Sequence, residues 1–138
     1  MLLYLDTSAL VKLYVSEEAS DAVRAEVSQA AAVSTSRVAY AEARAAFARR
    51  TREGALSGGD LRRIVAALDA DWESYLSVEV TDGIARQAGE LAERYALRAL
   101  DSLHLASALA LQRRVSLPLR FLCFDQRLAR AAQEALGS

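Results

Sequence analysis

Scarcity shapes this 138-residue chain: it has one cysteine, one proline, six glycines, one histidine and, in Lys12, a single lysine. The lone Cys123 leaves no second sulfur for an intrachain disulfide and no Cys/His spacing of a zinc site, so a reducing cytoplasm suits the chain. With only Pro118 and so few glycines there is little to build linkers or long irregular loops, which implies one domain over residues 1–138. No apolar run approaches the roughly 18 residues needed to cross a bilayer, so no membrane partner is expected. The apolar start lacks a basic stretch and is broken by Asp6, unlike a secretory leader. A net charge of −1 excludes the bulk polyanion binding of a histone-like protein. Glycine-rich phosphate loops and Gly-x-Ser-x-Gly elbows are absent too.

What is present is a globular balance, 53% apolar and 25% charged, at a length that can bury a sizeable core. Residues 2–5 read as a buried strand, followed by helices over about 8–14 and 18–30. Ser16, Glu17 and Glu18 supply the hydroxyl and first-turn acids of a helix start. AAVST at 31–35 reads as a second strand. A third helix runs from about Ser36 to Arg52, with Val38, Ala41, Ala45 and Ala48 at helical spacing and Gly54 beyond its end. SGGD at 57–60 opens a fourth helix through Ile64, Leu68 and Trp72. LSVEV at 76–80 reads as a strand, and Thr81 or Asp82 caps the next helix. Residues 98–114 form a long apolar helix, FLCF at 121–124 the fourth strand, and 125–136 the last helix. Strands alternating with helices predict an α/β fold with a mainly parallel sheet covered on both faces.

Four acids stand out against that frame. Asp6 follows the first strand, Asp125 follows FLCF, and Asp101 lies in the first turn of the long helix. Ligands of open parallel sheets bind beyond the carboxyl ends of the strands, and carboxylates gathered there suit a hard divalent metal such as Mg²⁺. Each of the three could equally be a helix cap. Asp6 is the least needed in that role, because Thr7 and Ser8 are further candidate caps and its place after an apolar strand is poorly solvated. Glu42 sits mid-helix among small residues, with Val38, Ala39, Ala45 and Ala46 one turn away, so no arginine forms a helix pair with it. Four clustered carboxylates repel one another until a cation or protons relieve them. Asp-Thr-Ser at 6–8 is not the Asp-x-Asp of haloacid-dehalogenase-type phosphatases. A receiver domain would need an adjacent acidic pair and a late lysine.

Seven arginines between 37 and 63, among them Arg37 and Arg44, oppose only Glu42, Glu53 and Asp60. They read either as an RNA-holding basic surface or as a solvated helix face. Lys12, close to Asp6, is a further candidate for phosphate contact. His104, about one turn beyond Asp101, reads as a packed or supporting residue rather than a general base, because water activated by a metal needs no imidazole. Tyr4, Tyr40, Phe47, Trp72, Phe121 and Phe124 fit core or helix-packing positions. The first helix, apolar through Leu10, Val11, Leu13 and Tyr14, is either core or an interface for a second copy or a partner helix.

DTSALVKLY at 6–14, AEARAAF at 41–47, LDSLHLASAL at 100–109 and FLCFDQRLARAA at 121–132 together resemble the PIN-domain family, nearest to the toxins of the VapC type. The resemblance spans essentially the whole chain. It implies a compact three-layer α/β/α fold with four or five strands and a Mg²⁺ or Mn²⁺ site, and it implies endoribonuclease activity leaving 5′-phosphate and 3′-hydroxyl ends. Carried over by position, Asp6, Glu42, Asp101 and Asp125 are the metal-binding acids, with Thr7 or Ser8 as a nearby hydroxyl. A cognate antitoxin and a homodimer are the implied partners. Cys123 departs from the pattern, since many members carry Thr or Ser there.

Overall fold

The computed structural model describes residues 1–137. Four strands form one sheet: β1 (Leu2–Leu5), β2 (Ala32–Ser36), β3 (Leu76–Val78) and β4 (Leu119–Leu122). Their order is β3-β2-β1-β4 and all three pairings are parallel. The helices are α1 (Thr7–Tyr14), α2 (Ser20–Gln29), α3 (Val38–Arg52), α4 (Gly58–Trp72), α5 (Asp82–Tyr95), α6 (Ala99–Arg114) and α7 (Gln126–Leu136).

The chain winds from β1 outward through β2 to β3, then crosses back to β4 on the other side of β1. Right-handed crossovers place the helices of those two journeys on opposite faces. Leu3 and Leu5 accordingly pack against α1, α3 and α4 around Phe47 and Leu68. Leu2 and Tyr4 pack against α5, α6 and α7 around Leu105 and Leu128. This double covering explains why β1 is an unbroken apolar run, with all four residues fully buried. Each such Leu contributes roughly 1.5–3 kcal/mol relative to exposure. The winding also reverses at β1, so the carboxyl end of β1 is the topological switch point where an open sheet binds its ligands.

Several expectations hold, among them the α/β/α layering, a sheet of four strands, the opening of α4 at SGGD and the Thr81 cap of α5. Three do not. The last strand is Leu119–Leu122 rather than 121–124, because β4 is an edge strand pairing only with β1 and its register ends at Leu5↔Leu122. Cys123 and Phe124 therefore lie beyond the sheet. Helix α2 begins at Ser20 with no side-chain cap, since Ala19 turns the chain with φ 70° and Glu17 is engaged elsewhere. Helix α3 buries Ala39, Ala43 and Phe47, whereas Ala41 and Ala45 are exposed. Alanine on every side of that helix hid the inner face, which the fully buried Phe47 marks. Of the two readings left open for α1, core or interface, the structure bears out core: Ala9, Leu10 and Val11 are buried, with Leu13 and Tyr14 packed beside them.

Candidate active site

Asp6, Glu42, Asp101 and Asp125 come from four different parts of the chain, and all four line one cleft of about 560 Å³ at the carboxyl end of the sheet. Asp6 emerges directly from β1, and its backbone N–H donates to Leu122 O at 3.2 Å, the last bond between β1 and β4. Its side chain caps α1, where Oδ1 accepts from Ala9 N at 2.9 Å and from Ser8 Oγ at 2.7 Å. Both bonds fall on Oδ1, and Oδ2 has no hydrogen-bond partner among the described residues. Asp6 is only 5% exposed, and its pKa is raised to about 6. Burial is the main cause, the two hydrogen bonds oppose it, and the charges of Asp101 and Asp125 add to it. Three carboxylates thus feel one another across the cleft.

Asp101 is half-buried in the first turn of α6, 3.4 Å from Arg98 Nε. That arginine is largely exposed, so the pair is weak. Glu42 is half-buried on α3 and, among the described residues, makes no ion pair within 4 Å. Asp125 is exposed and caps α7, Oδ1 accepting from Leu128 N at 2.9 Å. The donor chemistry, all carboxylate oxygen, is that of a hard cation. As the side chains stand, no three His, Cys, Asp or Glu groups among the described residues converge closely enough to hold an ion.

Beneath the acids lies a buried polar core. His104 Nε2 accepts from the Thr7 backbone N–H at 3.2 Å and lies 2.9 Å from Thr7 Oγ1. An Nε2 that accepts a backbone N–H carries no proton, so the neutral ring is protonated at Nδ1, which donates to Tyr4 Oη at 2.8 Å. Burial lowers the His104 pKa to about 4, in keeping with that neutral ring. His104 therefore ties α6 to the turn that carries Asp6 and has no free nitrogen for proton transfer, as expected of a supporting residue. Thr7 is occupied by this contact, while Ser8 serves Asp6 directly. Nearby, Thr35 Oγ1 donates to Leu5 O at 2.7 Å, bracing the end of β1 from β2.

The rim is cationic. Lys12, Arg49, Arg50 and Arg98 line the cleft. Glu17 organises two of them: it lies 3.4 Å from Lys12 Nζ and receives Arg50 Nε and Nη2 at 3.0 and 3.2 Å. Arg37 and Arg44 stand apart from the cleft. Arg37 pairs with Glu79 beside β3, and Arg44 donates to Tyr40 Oη and lies over its ring. The arginine-rich run is thus divided, with Arg49 and Arg50 turned to the cleft and the rest turned outward or to other partners.

Sequence reasoning did not single out Glu17 or Arg98, although Arg98 stands three residues before Asp101, where a helix brings side chains together. Phe124 was expected in a packed position and is instead exposed at the cleft. Cys123 is half-buried near Asp6 and Asp125, its Sγ 3.7 Å from Asp125 O. Burial first, then the neighbouring carboxylates, push its thiol up to about 12, so it stays protonated and unreactive.

A parallel sheet ordered 3-2-1-4 and wrapped by seven helices has known relatives. The PIN-domain profile matches residues 3–134, and the chain belongs to that family. Among curated proteins it is 41% identical, over 113 residues, to Ribonuclease VapC45 of Mycobacterium tuberculosis strain CDC 1551 / Oshkosh and equally to Ribonuclease VapC49 of strain ATCC 25618 / H37Rv. Each match covers 79% of this chain and 76% of the relative. Among solved structures it is similar to the Mycobacterium tuberculosis VapC20 toxin, described as cleaving the sarcin-ricin loop. The TM-score is 0.66, with 94% of both chains covered and 18% of residues identical, a likeness of fold.

Proposed function

We propose that this protein is a divalent-metal-dependent endoribonuclease, the toxin of a type II toxin–antitoxin pair. The observation that carries the reading is the meeting of Asp6, Glu42, Asp101 and Asp125 in one cleft ringed by Lys12, Arg49, Arg50 and Arg98. Membership of the PIN family and two relatives named as ribonucleases support it.

Asp6, Asp101, Asp125 and Glu42 would hold Mg²⁺, with Mn²⁺ an equivalent hard cation. When bound, the metal supplies a lowered water pKa and neutralisation of the leaving oxygen in hydrolysis of an RNA phosphodiester, giving 5′-phosphate and 3′-hydroxyl ends. The residues do the rest. Asp6 presents Oδ2 from a rigid, capped turn. Mutual repulsion keeps the carboxylates apart until positive charge draws them together. The cationic rim attracts the backbone of the incoming strand and gives binding a dependence on salt. Such an enzyme works in the cytoplasm, acts as one domain within a homodimer, and is restrained by an antitoxin that covers the acids.

The alternative is a non-catalytic PIN module that binds RNA or a protein. A Mg²⁺ titration with a generic single-stranded RNA and a phosphomonoester separates them. Cleavage of the RNA alone, lost on adding EDTA, is the expected result. Binding without cleavage at any Mg²⁺ or Mn²⁺ concentration would establish the second reading.

A further inference from the structure

Among the described residues, the exposed large hydrophobics are Leu76, Val80, Leu117 and Phe124, and only Phe124 lines the acidic cleft. The residue is 42% exposed, immediately before Asp125 and beyond the end of β4. The Lys12 ammonium lies over one face of the ring, 5.0 Å from its centroid. Lys12 also pairs with Glu17, which grips Arg50. An aromatic left in water adds little to the fold. An aromatic face beside an anchored ammonium, at the mouth of a phosphate-attracting cleft, has the two parts from which single-strand binders are made, a surface on which a base stacks and a cation for the backbone.

We propose that Phe124 is a base-stacking platform. On the ring face away from Lys12 rests the base of an unpaired RNA nucleotide flanking the scissile phosphate, while Lys12 contacts that nucleotide's phosphate. The proposal rests on the ribonuclease reading and deepens it: the substrate must be single-stranded or looped at the cut, because paired bases expose no face to a side chain.

The test uses the full chain carrying Asp6→Asn, to prevent cleavage, and a fluorescent 12-nucleotide single-stranded RNA beside the same oligomer with abasic sites. Phe124→Ala and Phe124→Leu are each expected to weaken binding of the intact RNA about 10-fold, within the roughly 5- to 150-fold range of such stacks. Phe124→Trp keeps the affinity, and its added emission, measured against the parent's Trp72 signal, is quenched by intact RNA and not by abasic RNA. All four proteins bind abasic RNA alike. In chains with Asp6 restored, the loss for Phe124→Ala falls on KM more than on kcat.

Parent-like affinity of Phe124→Leu for intact RNA overturns the proposal, since apolar bulk would then suffice. Equal weakening on abasic RNA also overturns it, and unchanged RNA affinity in all variants assigns the ring to a protein partner instead. If Phe124→Ala does not fold, the Leu and Trp variants decide. A parent that binds as expected but cuts no RNA defeats the ribonuclease reading and leaves the platform standing. A parent that cuts RNA with Phe124 indifferent defeats the platform alone.

Discussion

Asp6 and Asp125 each follow a strand of the same parallel sheet, and each caps the next helix by accepting a backbone N–H three residues on, at 2.9 Å in both cases. Their surroundings differ. Asp6 follows a central strand buried on both faces, and is itself buried with its pKa raised to about 6. Asp125 follows an edge strand that ends three residues earlier, and it stands in solvent. The same capping motif is therefore buried at one turn and open to solvent at the other. Burial, not the capping geometry, makes the difference.

The largest expected contrast is in catalysis. Asp6→Asn should lower RNA cleavage in Mg²⁺ by on the order of 10²- to 10³-fold, and Asp125→Asn by roughly 10-fold, at matched protein concentration. Equal losses would break the contrast.

Stability should move the other way. A carboxylate whose pKa is raised on folding contributes stability that is complete below its unfolded pKa near 4 and is lost as pH rises through 6. At pH 7 the ionised Asp6 thus costs roughly 3 kcal/mol. In metal-free buffer Asp6→Asn should be more stable than the parent at pH 7 in urea melts, with the advantage vanishing near pH 4. His104 supplies the opposite limb: its lowered pKa gives stability that is complete above pH 6.5 and is lost as pH falls toward 4. The difference between the two proteins at each pH isolates Asp6. No difference at pH 7 would mean that Asp6 is not strained.

Next in size is the thermal shift on adding Mg²⁺. At about 100 times its dissociation constant the ion stabilises by up to about 2.7 kcal/mol. The parent's Tm should rise, Asp6→Asn should not respond, and Asp125→Asn should respond in part. Smallest is the cap itself. Asp125→Ala should cost about 1 kcal/mol without metal, the ordinary value of a lost N-cap, as read from a denaturant midpoint.

Much of this was legible beforehand. The apolar run at 2–5 with its following Asp, the strand–helix alternation and the absence of a helical cation for Glu42 all follow from local patterns. Other features did not. Phe124 and Cys123 continue an apolar run, and nothing local says that an edge strand loses its partner at Leu122. Glu17 looked like a helix-start acid because Lys12 and Arg50 approach it through the packing of α1 on α3. Arg37 and Arg44 share a sequence neighbourhood with Arg49 and Arg50, yet the helix turns them away from the cleft.

Local patterning set the elements, their order and the residue types available to the site, because periodicity, capping and apolar runs act over a few residues. Packing between distant segments settled which acid is buried, which cations face it and which aromatic is left in water. Those outcomes depend on burial and on approach between segments far apart in the chain, and winding about β1 sets both.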